Sequence, residues 1–188
     1  MYCKERLRVP HAGITLVWSP LEKTDHYAEL LDAPSCGAIV NLVALLKGGA
    51  RRVIYVPAFD RVPEQFGYFC RVVAELPRAR VLVEELSRVT FPSWAPPAWR
   101  NLSTAGAHSH LELIATAQAP SMIDKAFIGN CSELRAFRLL WEHDARRIGA
   151  VLRVPHAELM DLPRFHYRHR VIEEMSTRAG VQAVVGGK

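Results

Sequence analysis

The chain has 188 residues, of which 49% are hydrophobic and 23% charged. That is the composition of one globular domain with a sizeable core, and it excludes a disordered tail, a collagen and a coiled coil. The formal net charge is +5, and of 24 basic residues only five are lysine, leaving 19 arginines. Arginine's planar fork suits phosphate and carboxylate contacts, although a GC-rich genome enriches arginine as well. The excess permits nucleic-acid binding without announcing it.

No apolar run nears the roughly 20 residues of a membrane span. Met1 is followed by Lys4, Glu5, Arg6 and Arg8 rather than by a signal-peptide core. The expectation is a soluble, cytoplasmic protein. Cys3, Cys36, Cys70 and Cys131 are too scattered for a zinc pattern or a disulfide framework, and read as free thiols in a reducing compartment.

Short β-branched runs alternate with helix-like stretches along the chain. Residues 14–18 (ITLVW) predict a strand closed by Ser19 and Pro20, and Thr24 or Asp25 caps a short helix to Leu31. Ser35 is placed to cap a helix over 36–47, stopped by Gly48 and Gly49, and residues 52–56 form the next strand. Pro63 opens a helix to about Leu76, with Phe66, Phe69, Val72, Val73 and Leu76 at the spacing of one buried face. Residues 79–83 (ARVLV) predict a buried strand ending at Glu84 and Glu85, followed by a proline-rich loop over 87–97.

Helix is expected at 99–108, strand at 111–117, helix at 121–129, strand at 134–140 and helix at 143–152. An edge strand is expected at 165–169. This alternation argues for right-handed βαβ units and an α/β fold with a mostly parallel, doubly wound sheet. We read residues 1–176 as one domain and 177–188 as a flexible tail.

Ligands of open parallel sheets bind at the carboxyl ends of the strands. The residues standing there are Ser19, Pro57, Glu84 with Glu85, Gln118, and Trp141 with Glu142. Two carboxylates after a hydrophobic strand serve a cation or a proton, or else simply reach solvent. In a nucleotide hydrolase the first holds magnesium through water and the second orients the attacking water. Gln118 either touches a phosphate or caps its strand.

His108 and His110 are two apart, which suits a shared metal poorly on a helix. In the segment 163–170, Arg164, Arg168 and Arg170 interleave with Phe165, Tyr167, His166 and His169. Such a segment follows a nucleic-acid backbone or guards a sheet edge with charge. There is no Ser–His–Asp order and no glycine-rich phosphate loop.

Val81-Leu82-Val83-Glu84-Glu85-Leu86, Ala98-Trp99-Arg100-Asn101-Leu102, Gly106-Ala107-His108 and Leu113 to Pro120, followed by Ile123-Asp124, Asn130-Cys131 and Ala136 to Leu139, form an ordered series. Over roughly residues 50 to 152 it resembles the FtsK–HerA superfamily of P-loop ATPases, most of all small phage genome-packaging or morphogenesis ATPases and their Zot-like relatives. The resemblance implies a RecA/FtsK-like P-loop NTPase fold. It implies Glu85 as the catalytic carboxylate of the Walker B strand, and Glu84 at the magnesium position, acting through water, where the family has aspartate. Gln118 matches the polar sensor of the next core strand.

Gly106-Ala107-His108 stands where Gly-Arg-His is common, so that arginine is absent, and Arg135 and Arg138 are candidates for an arginine finger. ATP and magnesium are the implied cofactors. Double-stranded DNA, a homo-oligomeric ring and phage assembly proteins are the implied partners, in a bacterial host cytoplasm or on the virion.

The family opens with a strand and G-x-x-x-x-G-K-S/T, whose backbone N–H groups cradle phosphates. Here residues 2–8 resemble the rest of the helix after that loop, and 14–18 the following strand, so the first strand and phosphate loop are expected to be missing. Either the start is assigned late or the copy is shortened. If shortened, two neighbouring strands keep an open edge. The reading is then a DNA-packaging or translocation motor domain deficient in hydrolysis, needing no cofactor. The alternative is a non-catalytic ATPase-like interaction or DNA-binding module.

Overall fold

The computed structural model describes residues 2–105, 110–172 and 176–181. Four apolar runs become strands of one sheet: β1 (Ile14–Trp18), β3 (Arg52–Tyr55), β4 (Ala79–Val83) and β5 (Leu111–Ala115), with the two-residue β2 (Ser35–Cys36) at one edge. Their order is β2-β3-β1-β4-β5 and every pairing is parallel.

Alternate residues of these strands bury on opposite faces, as the period of two requires. Leu16, Trp18, Val53, Tyr55, Val81 and Val83 share one core with α5 (Val62–Ala74) and α6 (Pro97–Ala105). Trp18 is its centre, stacked on Tyr55 at 5.4 Å and edge-on to Phe66 at 5.0 Å. Val17, Ile54 and Leu82 face the other way, against Leu7 of α1 (Tyr2–Arg8) and Tyr27 and Leu31 of α3 (Tyr27–Leu31). The sheet is thus covered on both faces, as expected from its continuous apolar strands.

Several boundaries differ from expectation, each for a tertiary reason. Ser35 does not cap a helix: Ile54 N–H donates to the Pro34 carbonyl and Val56 N–H to that of Cys36, which holds 35–36 as β2. The helix α4 begins only at Ile39 and runs to Lys47. The helix expected over 121–129 splits into a 3-10 turn at Pro120–Met122 and α7 (Lys125–Asn130), because the Asp124 carboxylate caps the Ala126 N–H at 3.3 Å.

The strand β6 (Glu133–Phe137) stops short of 140, since Leu139 N–H turns to the Leu159 carbonyl. It belongs to a second sheet, β6-β7-β8, that is wholly antiparallel. The segment expected as an edge strand is its centre, β7 (His166–Val171). The third strand, β8 (Ser176–Val181), takes up residues 177–181 of the expected flexible tail, because its backbone pairs with β7 along its whole length. Residues 182–188 lie outside the described ones. Helices α8 (Glu142–Leu152) and α9 (His156–Met160) connect β6 to β7.

Among the described residues, β5 pairs only with β4 and β6 only with β7. Each keeps one open edge. Helix α1 reaches both strands: the Tyr2 hydroxyl donates to Glu133 of β6, and Arg6 donates to Glu112 of β5. Glu112 also accepts from buried Arg80 of β4 at 2.7 Å. The rest of the Arg80 guanidinium donates to the carbonyls of Arg6 and Val9, so this buried charge is paired and hydrogen-bonded, as a buried ion must be.

Candidate functional site

Flush strand ends create the site. Trp18 and Val83 are partners in the β1–β4 register, so Ser19 and Glu84 leave the sheet side by side. The ladder continues past them, with Glu84 N–H donating to the Trp18 carbonyl at 3.0 Å and Ser19 N–H to that of Tyr55 at 2.9 Å. Glu84 is 8% exposed, and both carboxylate oxygens are held. Ser19 Oγ donates to Oε2 at 2.9 Å and Tyr27 Oη to Oε1 at 2.5 Å. The two hydroxyl donors satisfy a carboxylate that is otherwise out of water.

Tyr27 is brought there by a cap made from sequence-near residues. Glu22 accepts the N–H groups of Tyr27 and Ala28 at 3.1 and 2.7 Å, which fixes the entry of α3. Helix α1 closes the other flank. Lys4 Nζ lies 5.3 Å over the Tyr27 ring. Burial pushes the Cys3 thiol up to about 11, and the Glu84 charge nearby adds to that shift.

Glu85 is arranged differently. Its backbone is left-handed, φ 53° and ψ 51°, a conformation a non-glycine residue adopts at a cost. Thr116 stabilises the turn, accepting Glu85 N–H at its hydroxyl (3.3 Å) and Leu86 N–H at its carbonyl (2.9 Å). The Glu85 side chain is half-buried at this turn. Gln118 is exposed two residues beyond Thr116. Glu84 and Glu85 thus follow the carboxyl end of β4, and Gln118 that of β5.

Other candidates lie elsewhere. Arg135 of β6 is clamped between the rings of Tyr2 and Tyr167, at 3.7 and 4.1 Å, while Arg138 is exposed past the end of the strand. Arg170 is buried and donates to the Val151 carbonyl, and Arg168 pairs with Glu158. Arg164 is exposed, over the Phe165 ring at 4.7 Å. Of the two histidines, His110 is exposed in a left-handed turn and His108 lies outside the described residues. Among the described residues no group of three His, Cys, Asp or Glu is arranged for a metal, and all four cysteines are free. No described helix is long and apolar enough to cross a membrane.

Ser19 was legible as a strand-end residue, but Tyr27 was not. It sits in the short helix after 14–18 for which Thr24 or Asp25, not Glu22, was the expected cap. Two cavities, of about 310 Å³ at the amino end of the sheet and about 920 Å³ between β2 and α4, are lined by none of Glu84, Glu85 and Gln118.

No protein-family model matches the sequence, and no curated protein matches it. The fold has clear likenesses among solved structures. The genome packaging NTPase B204 from Sulfolobus turreted icosahedral virus 2, in complex with AMPPCP, superposes at a TM-score of 0.71 with 12% identity, covering 97% of this chain and 88% of that one. The same NTPase with ATP-gammaS superposes at 0.66 with 10% identity, covering 92% and 98%. The pCW3 conjugation coupling protein TcpA with ATPgS gives 0.56 with 12% identity, covering 89% of this chain and 51% of that one. The chain thus shares the α/β fold of that genome packaging NTPase.

Proposed function

We propose that this chain is the motor domain of an ATP-driven DNA-packaging or translocating assembly of a phage or prophage, working as a homo-oligomeric ring in the bacterial cytoplasm. The observation that carries the reading is the pair Glu84 and Glu85 at the end of β4, in the fold of a genome packaging NTPase: the first carboxylate is held by Ser19 and Tyr27, and the second makes no hydrogen bond or ion pair with a described residue.

The residues fit magnesium on one side only. Both oxygens of Glu84 accept a hydroxyl hydrogen bond, which suits this carboxylate to meet the metal through a bound water rather than by direct bidentate ligation. When bound, magnesium neutralises charge on transferring phosphates. Glu85 is the proton acceptor for an attacking water, since it is half-buried and its carboxylate makes no hydrogen bond or ion pair with a described residue. Gln118, exposed beside it, orients that water. The phosphates themselves find no cradle in these 188 residues, which contain no G-x-x-x-x-G-K-S/T. Nucleotide binding by these residues alone is accordingly weak, and no hydrolytic step is assigned to them unaided.

The second reading, a non-catalytic module that binds DNA or caps a partner ring, rests on that same missing cradle. Two measurements separate the readings. The first is ATP affinity of the 188-residue chain, expected to be far weaker than micromolar. The second is DNA-stimulated ATP hydrolysis by the chain joined to whatever is encoded in frame upstream of Met1, with and without Glu85→Gln. Hydrolysis lost in Glu85→Gln supports the motor, whereas hydrolysis that survives it refutes the assignment of Glu85. No hydrolysis by the longer chain favours the non-catalytic module.

A further inference from the structure

The amino end of the first sheet, opposite Glu84 and Glu85, carries positive charge that the fold does not answer. The cavity of about 310 Å³ there lies where the chain leaving α1 meets the first residues of β1 and β3. Arg8, His11, Thr15, Arg51 and Arg52 all line it, and no carboxylate does. Thr15 and Arg52 are register partners across β1 and β3.

The walls are fixed by bonds to neutral acceptors. Arg51 donates to the Ala12 carbonyl at 3.0 Å, and Arg52 to that of Leu31 at 3.0 Å. Gly13 N–H donates to His11 Nδ1 at 3.1 Å, so the neutral imidazole carries its proton on Nε2 and is a donor there. A Cβ at Gly13 would stand 2.7 Å from both Arg78 Cγ and His11 Cε1, so glycine lets a further arginine close on the same loop. Among the described residues, none of Arg8, His11, Arg51, Arg52 and Arg78 makes an ion pair. Thr15 is only 6% exposed, yet its hydroxyl makes no hydrogen bond with a described residue.

We propose that this cavity binds a small phosphate-type anion, with the Thr15 hydroxyl at its base and the arginines and His11 around it. Guanidiniums gathered at one recess repel one another, and a buried hydroxyl calls for a partner. A tetrahedral oxyanion answers both, because it accepts from the hydroxyl and from planar guanidinium forks at once. The donors converge from the loop after α1, from β1 and from β3. That suits an ion with oxygens on every side better than the planar carboxylate of a protein partner. A nucleic-acid backbone would meet the exposed arginines at the rim and leave the buried hydroxyl unmatched. The cavity shares no residue with Glu84, Glu85 and Gln118, so the inference does not depend on the function proposed for them.

The test titrates the full chain with pyrophosphate by isothermal calorimetry, at fixed ionic strength in chloride. The expected result is one site per chain with a Kd of about 1 mM or below. Arg8 makes no side-chain bond with a described residue, and valine keeps the shape of threonine, so Arg8→Ala and Thr15→Val should fold, as circular dichroism verifies. Each should weaken binding about tenfold. Arg100→Ala, on α6 and outside the cavity, removes the same charge and should leave the Kd unchanged. No saturable binding up to about 10 mM pyrophosphate overturns the proposal. So does equal weakening by Arg8→Ala and Arg100→Ala, which reduces the effect to net charge. A duplex of about 20 base pairs is the second probe. If Arg8→Ala and Thr15→Val weaken duplex binding and leave pyrophosphate binding unchanged, the recess takes a backbone phosphate and the proposal fails.

Discussion

Replacing Glu85 with glycine should make the protein more stable while removing the carboxylate proposed to activate water. The left-handed backbone at φ 53° and ψ 51° costs an L-residue about 1–2 kcal/mol, and glycine is relieved of it. Against that gain, glycine gives the unfolded chain extra conformational entropy, worth about 0.4–1 kcal/mol. The side chain that is lost makes no hydrogen bond or ion pair with a described residue and is only half-buried, so little packing goes with it. The balance is a stabilisation of about 0.5–1 kcal/mol. For a domain of this size, that raises Tm by about 1–4 °C. Glu85→Gln, which keeps both shape and strain, should melt with the wild type. Thermal unfolding followed by far-ultraviolet circular dichroism measures all three proteins side by side. If Glu85→Gly melts below Glu85→Gln, the turn is not strained and the side chain is structural, and the trade of stability for chemistry at this position is refuted.

Three further outcomes follow from the same geometry. Glu112→Ala leaves the Arg80 guanidinium buried without its anion and should cost about 3 kcal/mol, or about 6–12 °C in Tm. Burial alone would raise the Glu112 carboxyl, but hydrogen bonds from Arg80 and Arg6 outweigh it and hold the pKa below its ordinary value. Its stabilisation is therefore complete above the ordinary glutamate value of about 4.3 and lost as pH falls through the lower folded value, so the variant's acid-unfolding limb should be flatter. Tyr27→Phe removes a hydrogen bond to a buried charge and should cost about 1.5–3 kcal/mol in urea unfolding; an unchanged midpoint would mean that Tyr27 does not hold Glu84. Burial raises every thiol, Cys3 and Cys131 to about 11 and Cys70 higher still, so at pH 8 a thiol reagent should label Cys36 first and Cys70 only on unfolding.

What could be read from the sequence was whatever local pattern decides. Residues 14–18 and 79–83 are strands to the residue: five-residue apolar runs with β-branched residues, closed by Ser-Pro or Glu-Glu, are strand-length rather than helix-length. Glu84, Glu85 and Gln118 follow such runs and so lie beyond the carboxyl ends of β4 and β5. Ser35 misled because a serine before an apolar stretch is also a helix cap, and only the pairing of 35–36 with β3 decides between the two. The centrality of β7 was invisible for a similar reason. Its charges look like edge protection, yet Arg168 and Arg170 answer Glu158 and the Val151 carbonyl, partners fixed by the packing of α8 and α9. Tyr27 belongs to the same class: its hydroxyl matters only because the chain folds back 57 residues to Glu84.

The open edges of β5 and β6 bear on how the molecule comes apart. Within either sheet, opening one strand breaks a ladder of backbone hydrogen bonds, so its strands exchange amide hydrogens as one cooperative unit. Between the sheets the described backbone has no such ladder, and α1 bridges them with the side chains of Tyr2 and Arg6. Ala136, Ile148 and Leu152 nevertheless pack into the core that holds Trp18, so the second sheet opens by giving up apolar contact rather than a shared ladder. Its amides should exchange earlier than those of β1 and β4.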